Sequence, residues 1–123
     1  MSSQLETLQR LARLLTEGED IDVELFFTPD FVVDQPGRPL LSGYAGAEEM
    51  VRLLRALGAR VQLRILDSVE QNDRVVIRWQ VTVDGREPKT AAMLAIYRFV
   101  DGRIAEDWGL AAAAPWREPA MRP

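Results

Sequence analysis

Four side chains near the ends of apolar segments could carry acid–base chemistry. Asp34 ends the apolar run of residues 31–33, and Glu106 and Asp107 follow an Asp-Gly turn and precede a tryptophan. Tyr97 lies in the strand-like segment before that turn. A carboxylate inside an apolar cavity has its charged form disfavoured, which raises its pKa toward the range in which a general acid or base works.

The chain contains no histidine and no cysteine, which narrows the chemistry that it can perform. The usual general base, the usual metal ligand and the thiolate nucleophile are therefore excluded. Acid–base chemistry would have to depend on Asp, Glu, Tyr, Lys or Arg. We therefore expect no zinc site, no other metal and no cofactor.

Each candidate also has a purely structural interpretation. Asp34 could form an Asx-type turn before the proline-rich loop that follows it. Glu106 and Asp107 are adjacent on one strand, so only one of them can face a cavity. A carboxylate on this strand could instead be solvated, or it could pair with Arg98 or Arg103.

The length and charge of the chain limit its functional class. It has 123 residues, 47% of them apolar, which suits a single domain with one packed core. The formal net charge is −4, so the basic footprint of a nucleic-acid-binding protein is not evident. No apolar segment reaches the roughly 18 residues of a membrane span, and the N-terminus does not resemble a signal peptide. We expect a cytoplasmic protein that binds neither nucleic acid nor membrane.

Three helices are predicted in the first half of the chain. Leucines recur at helical spacing over residues 3–17, and a glycine follows. Asp20 or Asp22 can cap a short second helix, which Pro29 is expected to end. A third helix is predicted over residues 47–57 because its apolar side chains fall on one face.

The second half of the chain is predicted to consist of strands. Residues 60–70 and 74–83 alternate between apolar and polar side chains, which indicates one buried and one wet face. Residues 91–100 are apolar on both faces, and residues 103–111 form the last strand.

This order of elements predicts an α+β fold. Long antiparallel strands twist and coil, so the sheet should curve strongly. The three N-terminal helices would close its concave side, which gives a cone-shaped barrel around a pocket. We expect one domain over residues 1–114 and a proline-rich tail over 115–123, whose Trp116 could dock on the domain or on a second subunit.

Three segments carry a resemblance to a known family. They are Phe-Phe-Thr-Pro-Asp-Phe-Val-Val-Asp-Gln-Pro at 26–36, Leu-Ser-Gly at 41–43 and Tyr-Arg-Phe-Val-Asp-Gly-Arg-Ile-Ala-Glu-Asp-Trp at 97–108. The chain resembles the nuclear transport factor 2-like superfamily, and within it the SnoaL-like polyketide cyclases and the ketosteroid isomerase group. The resemblance covers about residues 4–112.

The catalytic sets that the resemblance implies are incomplete in this sequence. Gln35 stands where the isomerases have their aspartate base, and Leu11 and Ala95 align near their oxyanion-hole tyrosine and aspartate. An acidic residue frequent in SnoaL-like cyclases falls at Ala112, and the second aspartate of the limonene-epoxide-hydrolase-like members falls at Gly109. Steroid isomerisation by that mechanism is therefore not expected.

The resemblance also selects a face of the last strand. The apolar pattern alone would turn Glu106 inward, whereas in the resembling fold the small-residue face lines the pocket, which places Asp107 inside. Asp34 is then expected as the second cavity carboxylate, and Tyr97 as the group that orients the substrate or stabilises an oxyanion. The expected substrate-binding residues are Trp79, Gln35, Tyr44, Met93, Ile77 and Phe31.

Three functions follow from this interpretation and stay open. The first is a cofactor-free cyclase or isomerase for an apolar, oxygenated polyketide- or terpenoid-type molecule in natural-product biosynthesis. The second is an epoxide hydrolase or an epoxide-opening cyclase in the same pocket. The third is a binding module without catalysis. The resemblance also implies a homodimer that forms through the outer face of the sheet.

Overall fold

A computed structural model of the protein describes residues 3–36, 40–58 and 60–111. Three helices pack on a curved, six-stranded sheet that is not closed, which confirms the α+β architecture. The helices are α1 (Ser3–Glu17), α2 (Val23–Phe26) and α3 (Gly43–Arg55). The strands are β1 (Phe27–Asp34), β2 (Leu41–Ser42), β3 (Arg60–Gln71), β4 (Arg74–Asp84), β5 (Lys89–Val100) and β6 (Arg103–Ala111).

Helix α1 has the predicted bounds and packs its leucine face against the sheet. Leu8, Leu11 and Leu15 are buried, as their helical spacing requires. The hydroxyl of Thr16 accepts a hydrogen bond of 3.0 Å from the backbone N–H of Leu63 on β3. This bond fixes the end of α1 against the sheet.

The region between α2 and β1 differs from the prediction. Asp22 caps α2 by accepting a 3.1 Å hydrogen bond from the N–H of Glu24. The helix ends at Phe26 and β1 begins at once, so Pro29 lies inside a strand and does not end the helix. The pairing of β1 with β6 is irregular between Phe27 and Val32, which is where a strand tolerates proline.

Helix α3 begins four residues earlier than predicted, at Gly43. Its first turn contains two glycines, which are weak helix formers and hide the start in the sequence. Gly46 is required for packing, because a Cβ there would lie 2.9 Å from the backbone carbon of Leu41.

The sheet has the order β2-β1-β6-β5-β4-β3. Strands β3 to β6 form the predicted antiparallel meander, while β1 adds to it parallel to β6 and β2 pairs with the far side of β1. Asp101 and Gly102 both adopt positive φ, 51° and 79°, in the turn between β5 and β6. The Asp-Gly hairpin prediction is therefore confirmed.

A β-bulge interrupts β6 directly after this turn. Arg98 pairs with Glu106, but Phe99 pairs with Ile104, so Ala105 is one residue too many for the ladder. Ile104 and Ala105 are consequently both buried although they are adjacent in sequence. The side-chain alternation changes phase at this point.

The predicted tail over residues 115–123, with Trp116, lies outside the described residues. Within the described part of the chain, no helix is long and apolar enough to cross a membrane.

Candidate active site

A cavity of about 480 Å³ lies between the concave face of the sheet and helices α1 and α3. Most of its wall is apolar and comes from leucines of the two helices and from inward side chains of β3, β4 and β5. This volume lies within the range of small-molecule sites in proteins. The polar groups in the wall therefore decide what the cavity can do. They are Gln35, Glu49, Trp79, Tyr97 and Asp107.

Asp107 places a carboxyl group in the wall of this cavity. Its residue is 6% exposed, and its Oδ1 has no hydrogen-bond partner among the described residues. Burial raises the pKa of the Asp107 carboxyl from 3.8 to about 7, because the apolar surroundings disfavour the charged form. Asp107 therefore exchanges a proton in the neutral range, where a general acid or base is most effective.

Tyr97 lies directly across from Asp107 on the neighbouring strand β5. The indole N–H of Trp79 donates a buried hydrogen bond of 2.8 Å to the Tyr97 hydroxyl oxygen. Burial and the charge of Asp107 raise the pKa of Tyr97 above its usual value, and the bond from Trp79 opposes this shift. Because the indole can only donate, the tyrosine keeps its own O–H proton available for an acceptor in the cavity.

Gln35 completes the polar part of the wall. A Cβ added at Gly109 would lie 2.9 Å from Nε2 of Gln35, so the absence of a side chain at Gly109 lets the amide lie against β6. Gly109 is two residues beyond Asp107 and faces the same side of the strand. The amide and the carboxyl group therefore belong to one wall.

The expectation that Asp34 is a cavity carboxylate is wrong in its placement. In the parallel pairing of β1 with β6, Val33 lies beside Asp107 and Asp34 lies beside Trp108. Trp108 is on the outer face of the sheet and is 46% exposed. Asp34 therefore points away from the cavity, and its neighbour Gln35 takes the inward position.

Glu106 faces outward, so the choice of Asp107 as the inward carboxylate agrees with the structure. Arg98 donates to one carboxylate oxygen of Glu106 at 2.9 Å, and the indole of Trp108 donates to the other at 2.7 Å. The Trp108 bond and the Arg98 pair lower the pKa of Glu106 below its usual value. The salt bridge considered for this strand is thus made by Glu106.

The six expected substrate-binding residues divide into two groups. Trp79, Met93 and Gln35 line the cavity. Phe31 and Ile77 are fully buried in the core, where Phe31 packs on Phe27 at a ring distance of 4.6 Å, and the cavity wall does not include them.

Tyr44 is also absent from the cavity wall formed by the described residues. Its hydroxyl lies 3.5 Å from Nη1 of Arg103, which also donates to the backbone carbonyl of Glu24. Tyr44 therefore helps to join α3, α2 and β6, and its expected role in substrate binding is not supported by its position.

Glu49 on α3 is a wall residue that sequence reasoning missed. It was overlooked because it is a charged residue beside the apolar stripe of a helix, where a solvated ion pair is the ordinary interpretation. The spacing to Arg52 does give that pair: Arg52 donates to both carboxylate oxygens of Glu49, at 2.7 and 2.6 Å. The inward position of Glu49 becomes visible only when α3 is packed on the sheet.

The described residues contain no group of three or more Asp, Glu, His or Cys side chains that could hold a metal ion. The described wall near Asp107 is mostly apolar and aromatic and offers the single amide oxygen of Gln35, whereas a hard cation takes about six oxygen ligands.

The curved sheet, the covering helices and the enclosed cavity define a domain of the NTF2-like superfamily. Within it, the SnoaL-like domain family matches residues 8–107, and the chain belongs to this family. No curated protein matches the sequence significantly.

Solved structures with this fold are similar over nearly the whole chain. Wild-type IdmH from Streptomyces antibioticus, provisionally described as a polyketide cyclase, superposes with a TM-score of 0.79 at 20% identity, covering 94% of this chain and 96% of IdmH. A provisionally described SnoaL-like polyketide cyclase from Jannaschia sp. CCS1 gives 0.76 at 15% identity, with 91% and 87% covered. An LEH-like epoxide hydrolase from M. tuberculosis gives 0.74 at 14% identity, with 93% and 86% covered. At these identities the likeness establishes the fold alone.

Proposed function

We propose that the protein is a cofactor-independent enzyme that isomerises or cyclises an apolar, oxygenated small molecule by acid–base chemistry. The observation that carries the proposal is Asp107, a buried carboxyl in the wall of an apolar cavity whose Oδ1 has no hydrogen-bond partner among the described residues. With its pKa raised to about 7, this group is partly ionised at neutral pH and can both take and return a proton.

In the proposed mechanism, Asp107 acts as the base and Tyr97 stabilises the developing oxyanion. The Asp107 carboxylate removes a proton from a carbon next to a substrate carbonyl, and the Tyr97 hydroxyl donates a hydrogen bond to the oxygen, on which negative charge develops. Trp79 holds the tyrosine oxygen through its indole N–H, so the tyrosine proton stays directed away from Trp79. From an unsaturated ketone the resulting dienolate takes the proton back from Asp107 at its γ-carbon, which is an isomerisation. Alternatively the enolate carbon attacks an internal carbonyl, which closes a ring, and the new alkoxide takes the proton from Asp107.

A single buried carboxyl replaces the pair of aspartates that the sequence suggested, because the other carboxylate of the wall, Glu49, is 38% exposed and is held in an ion pair by Arg52. One group suffices when the same proton is first removed and then returned. Epoxide opening by water requires an acid for the epoxide oxygen and a base for the water at the same time. Protonated Asp107 could supply the acid, but Gln35 can only orient a water molecule and cannot deprotonate it. Epoxide opening is therefore the second candidate.

Membership of the SnoaL-like family supports substrates of polyketide type. Structures similar to this chain are described as polyketide cyclases, and the apolar wall suits fused or aromatic carbon skeletons of that class. A terpenoid skeleton with one carbonyl group would meet the same chemical requirements.

The test compares Asp107→Asn with Asp34→Asn on a panel of neutral polyketide-type ketones, ketoesters and epoxides, with products identified by mass spectrometry. We expect Asp107→Asn to lower kcat/KM by about a thousandfold, because the base is lost, and Asp34→Asn to leave it nearly unchanged. In the wild type, kcat/KM for the ketone substrate should rise with pH and level off above about 7, since the base must be ionised.

Full activity of Asp107→Asn would refute the proposal. Turnover of epoxides but not of ketones would favour the second candidate. Tight binding of panel members without any turnover would identify a binding module.

We also propose that the protein is a homodimer that associates through the outer face of the sheet. Leu94 lies beside Leu110 and Ile96 lies beside Trp108 on β5 and β6, and all four side chains are exposed. Val69 on β3 extends the apolar row toward the other edge. A contiguous apolar surface of this kind is typical of an association site.

A further inference from the structure

The part of the cavity wall that the structure describes carries acidic groups and no basic group. Among the described residues that form it, Asp107 and Glu49 are the ionisable carboxylic acids, and neither Lys nor Arg contributes to it. Asp107 lies in the buried part, 6% exposed, whereas the side chain of Glu49 is 38% exposed, so Glu49 belongs to the solvent-accessible part of the wall, the mouth. A ligand in the cavity therefore lies near one solvent-exposed carboxylate and one buried carboxyl group.

Arg52 holds Glu49 without entering the cavity. Its guanidinium donates to both oxygens of the Glu49 carboxylate and is itself 64% exposed to solvent. The hydrogen bond from Arg52 lowers the pKa of Glu49, so the carboxylate is charged throughout the neutral range. The pair is thus oriented with its negative side toward the cavity wall and its positive side toward water.

We propose that the cavity discriminates against anionic ligands, and that Glu49 is the residue that sets this selectivity at the mouth. The inference deepens the proposed function, on which it rests, by naming the charge class of the substrate. The ligand is an apolar molecule whose polar groups are uncharged, such as an ester, a ketone or a lactone. The free carboxylate, phosphate or sulfate derivatives of the same molecule bind more weakly.

The buried carboxyl adds a dependence on pH. Among the described residues, the polar groups that face the cavity beside Asp107 are Tyr97 from β5, Gln35 directly after β1 and Trp79 from β4, and Glu49 contributes the remaining charge from α3. Helix α1 contributes only apolar side chains to the wall. An anion should therefore be repelled by Glu49 at every neutral pH, and by Asp107 in addition once that group ionises.

The experiment uses three probes that share one skeleton: methyl naphthylacetate, the naphthylacetate anion and protonated naphthylethylamine. Their Kd values are measured by calorimetry at pH 6 and pH 8, and the methyl NMR signals of Met50 and Met93, which line the cavity, locate the binding. The comparison of acid with amine removes the cost of burying a charge, because both probes bear one. The variants are Glu49→Gln, Arg52→Gln and Asp107→Asn.

We expect the wild type at pH 8 to bind the ester at least about tenfold more tightly than the anion, and the amine more tightly than the anion. Glu49→Gln should lower the ratio of amine affinity to anion affinity by about threefold, as expected of an exposed charge. Arg52→Gln should raise this ratio, because Glu49 then loses its counterion. Asp107→Asn should remove the difference in anion affinity between pH 6 and pH 8.

Equal binding of anion and ester by the wild type at pH 8 would overturn the inference. So would an unchanged ratio of amine to anion affinity in Glu49→Gln, or the absence of ester binding up to its solubility limit. These outcomes are independent of turnover. Lost selectivity with Asp107-dependent catalysis intact would refute this inference alone, and retained selectivity with a fully active Asp107→Asn would refute the proposed function alone.

Discussion

Two adjacent carboxylates on β6 differ in almost every physical respect. Asp107 faces the cavity, has an oxygen without a hydrogen-bond partner among the described residues and has its pKa raised to about 7. Glu106 faces the outside, accepts hydrogen bonds from Arg98 and Trp108 and has its pKa lowered. The backbone hydrogen bonds of one strand thus hold one reactive carboxyl and one inert carboxylate at neighbouring positions.

The surroundings of a carboxylate, and not its residue type, therefore decide whether it can do chemistry. An acidic side chain with two donors is already stabilised as an anion and gains nothing by taking a proton. One without donors in an apolar wall gains from protonation and becomes a usable base when ionised. The same contrast separates the two faces of the whole sheet, since the inner face holds the cavity and the outer face holds the exposed apolar surface and its ion pairs.

The strongest test of this comparison is the dependence of stability on pH. Ionisation of Asp107 destabilises the folded state, because its pKa is about 7 when folded and close to 3.8 when unfolded. The stabilisation that protonated Asp107 gives the folded state is fully present below pH 4 and is lost as the pH rises through 7. Relative to Asp107→Asn, the wild type should lose up to about 4 kcal/mol of unfolding free energy between pH 4 and pH 8, measured by urea denaturation. A difference that stays constant over this range would contradict the burial of a lone carboxyl.

A second test concerns the outer face. Leu94→Arg places a charge in the middle of the proposed dimer surface and should raise the dimer Kd about a hundredfold, measured by sedimentation equilibrium. The matched control is Leu25→Arg, because Leu25 is an equally apolar and well exposed residue on α2, outside the proposed dimer surface. A monomeric wild type, or an equal effect of both substitutions, would argue against the outer face as an interface.

The smallest effect is expected for Glu106→Gln. Its partners are partly exposed, so the loss of its charge should lower the unfolding free energy by less than about 1 kcal/mol. Its kcat/KM should equal that of the wild type. A loss of turnover comparable to that of Asp107→Asn would mean that the two faces of β6 had been assigned the wrong way round.

Much of the fold could be predicted because its signals are local. The leucine spacing of α1, the alternation along β4 and the Asp-Gly turn each act within a few residues, and the structure confirms them. The strand predicted over residues 60–70 also forms, but its alternation is interrupted after Ile65 by a register shift. The parallel addition of β1 to β6 was not predicted, because it joins strands about 70 residues apart and leaves no local pattern.

The site was predicted only in part, for the same reason. Asp107 and Tyr97 were identified because they lie on strands whose inner face could be chosen from the family resemblance. Asp34 was misplaced because its orientation depends on the register between β1 and β6, in which one residue exchanges the two faces. Glu49 was not predicted as a wall residue because its position depends on how α3 packs on the sheet.

The extra residue at Ala105 shifts the alternation of inward and outward side chains along β6 by one position. Upstream of it, Ile104 sits among buried side chains, and downstream the inward positions fall on Asp107 and Gly109. Without the extra residue, the same sequence would present Glu106 and Trp108 to the cavity and expose Asp107 to water. Which acid faces the cavity therefore depends on the bulge as much as on the presence of an aspartate. A gain or loss of one residue between Gly102 and Glu106 would exchange the inward and outward faces of β6 without changing any side chain beyond it.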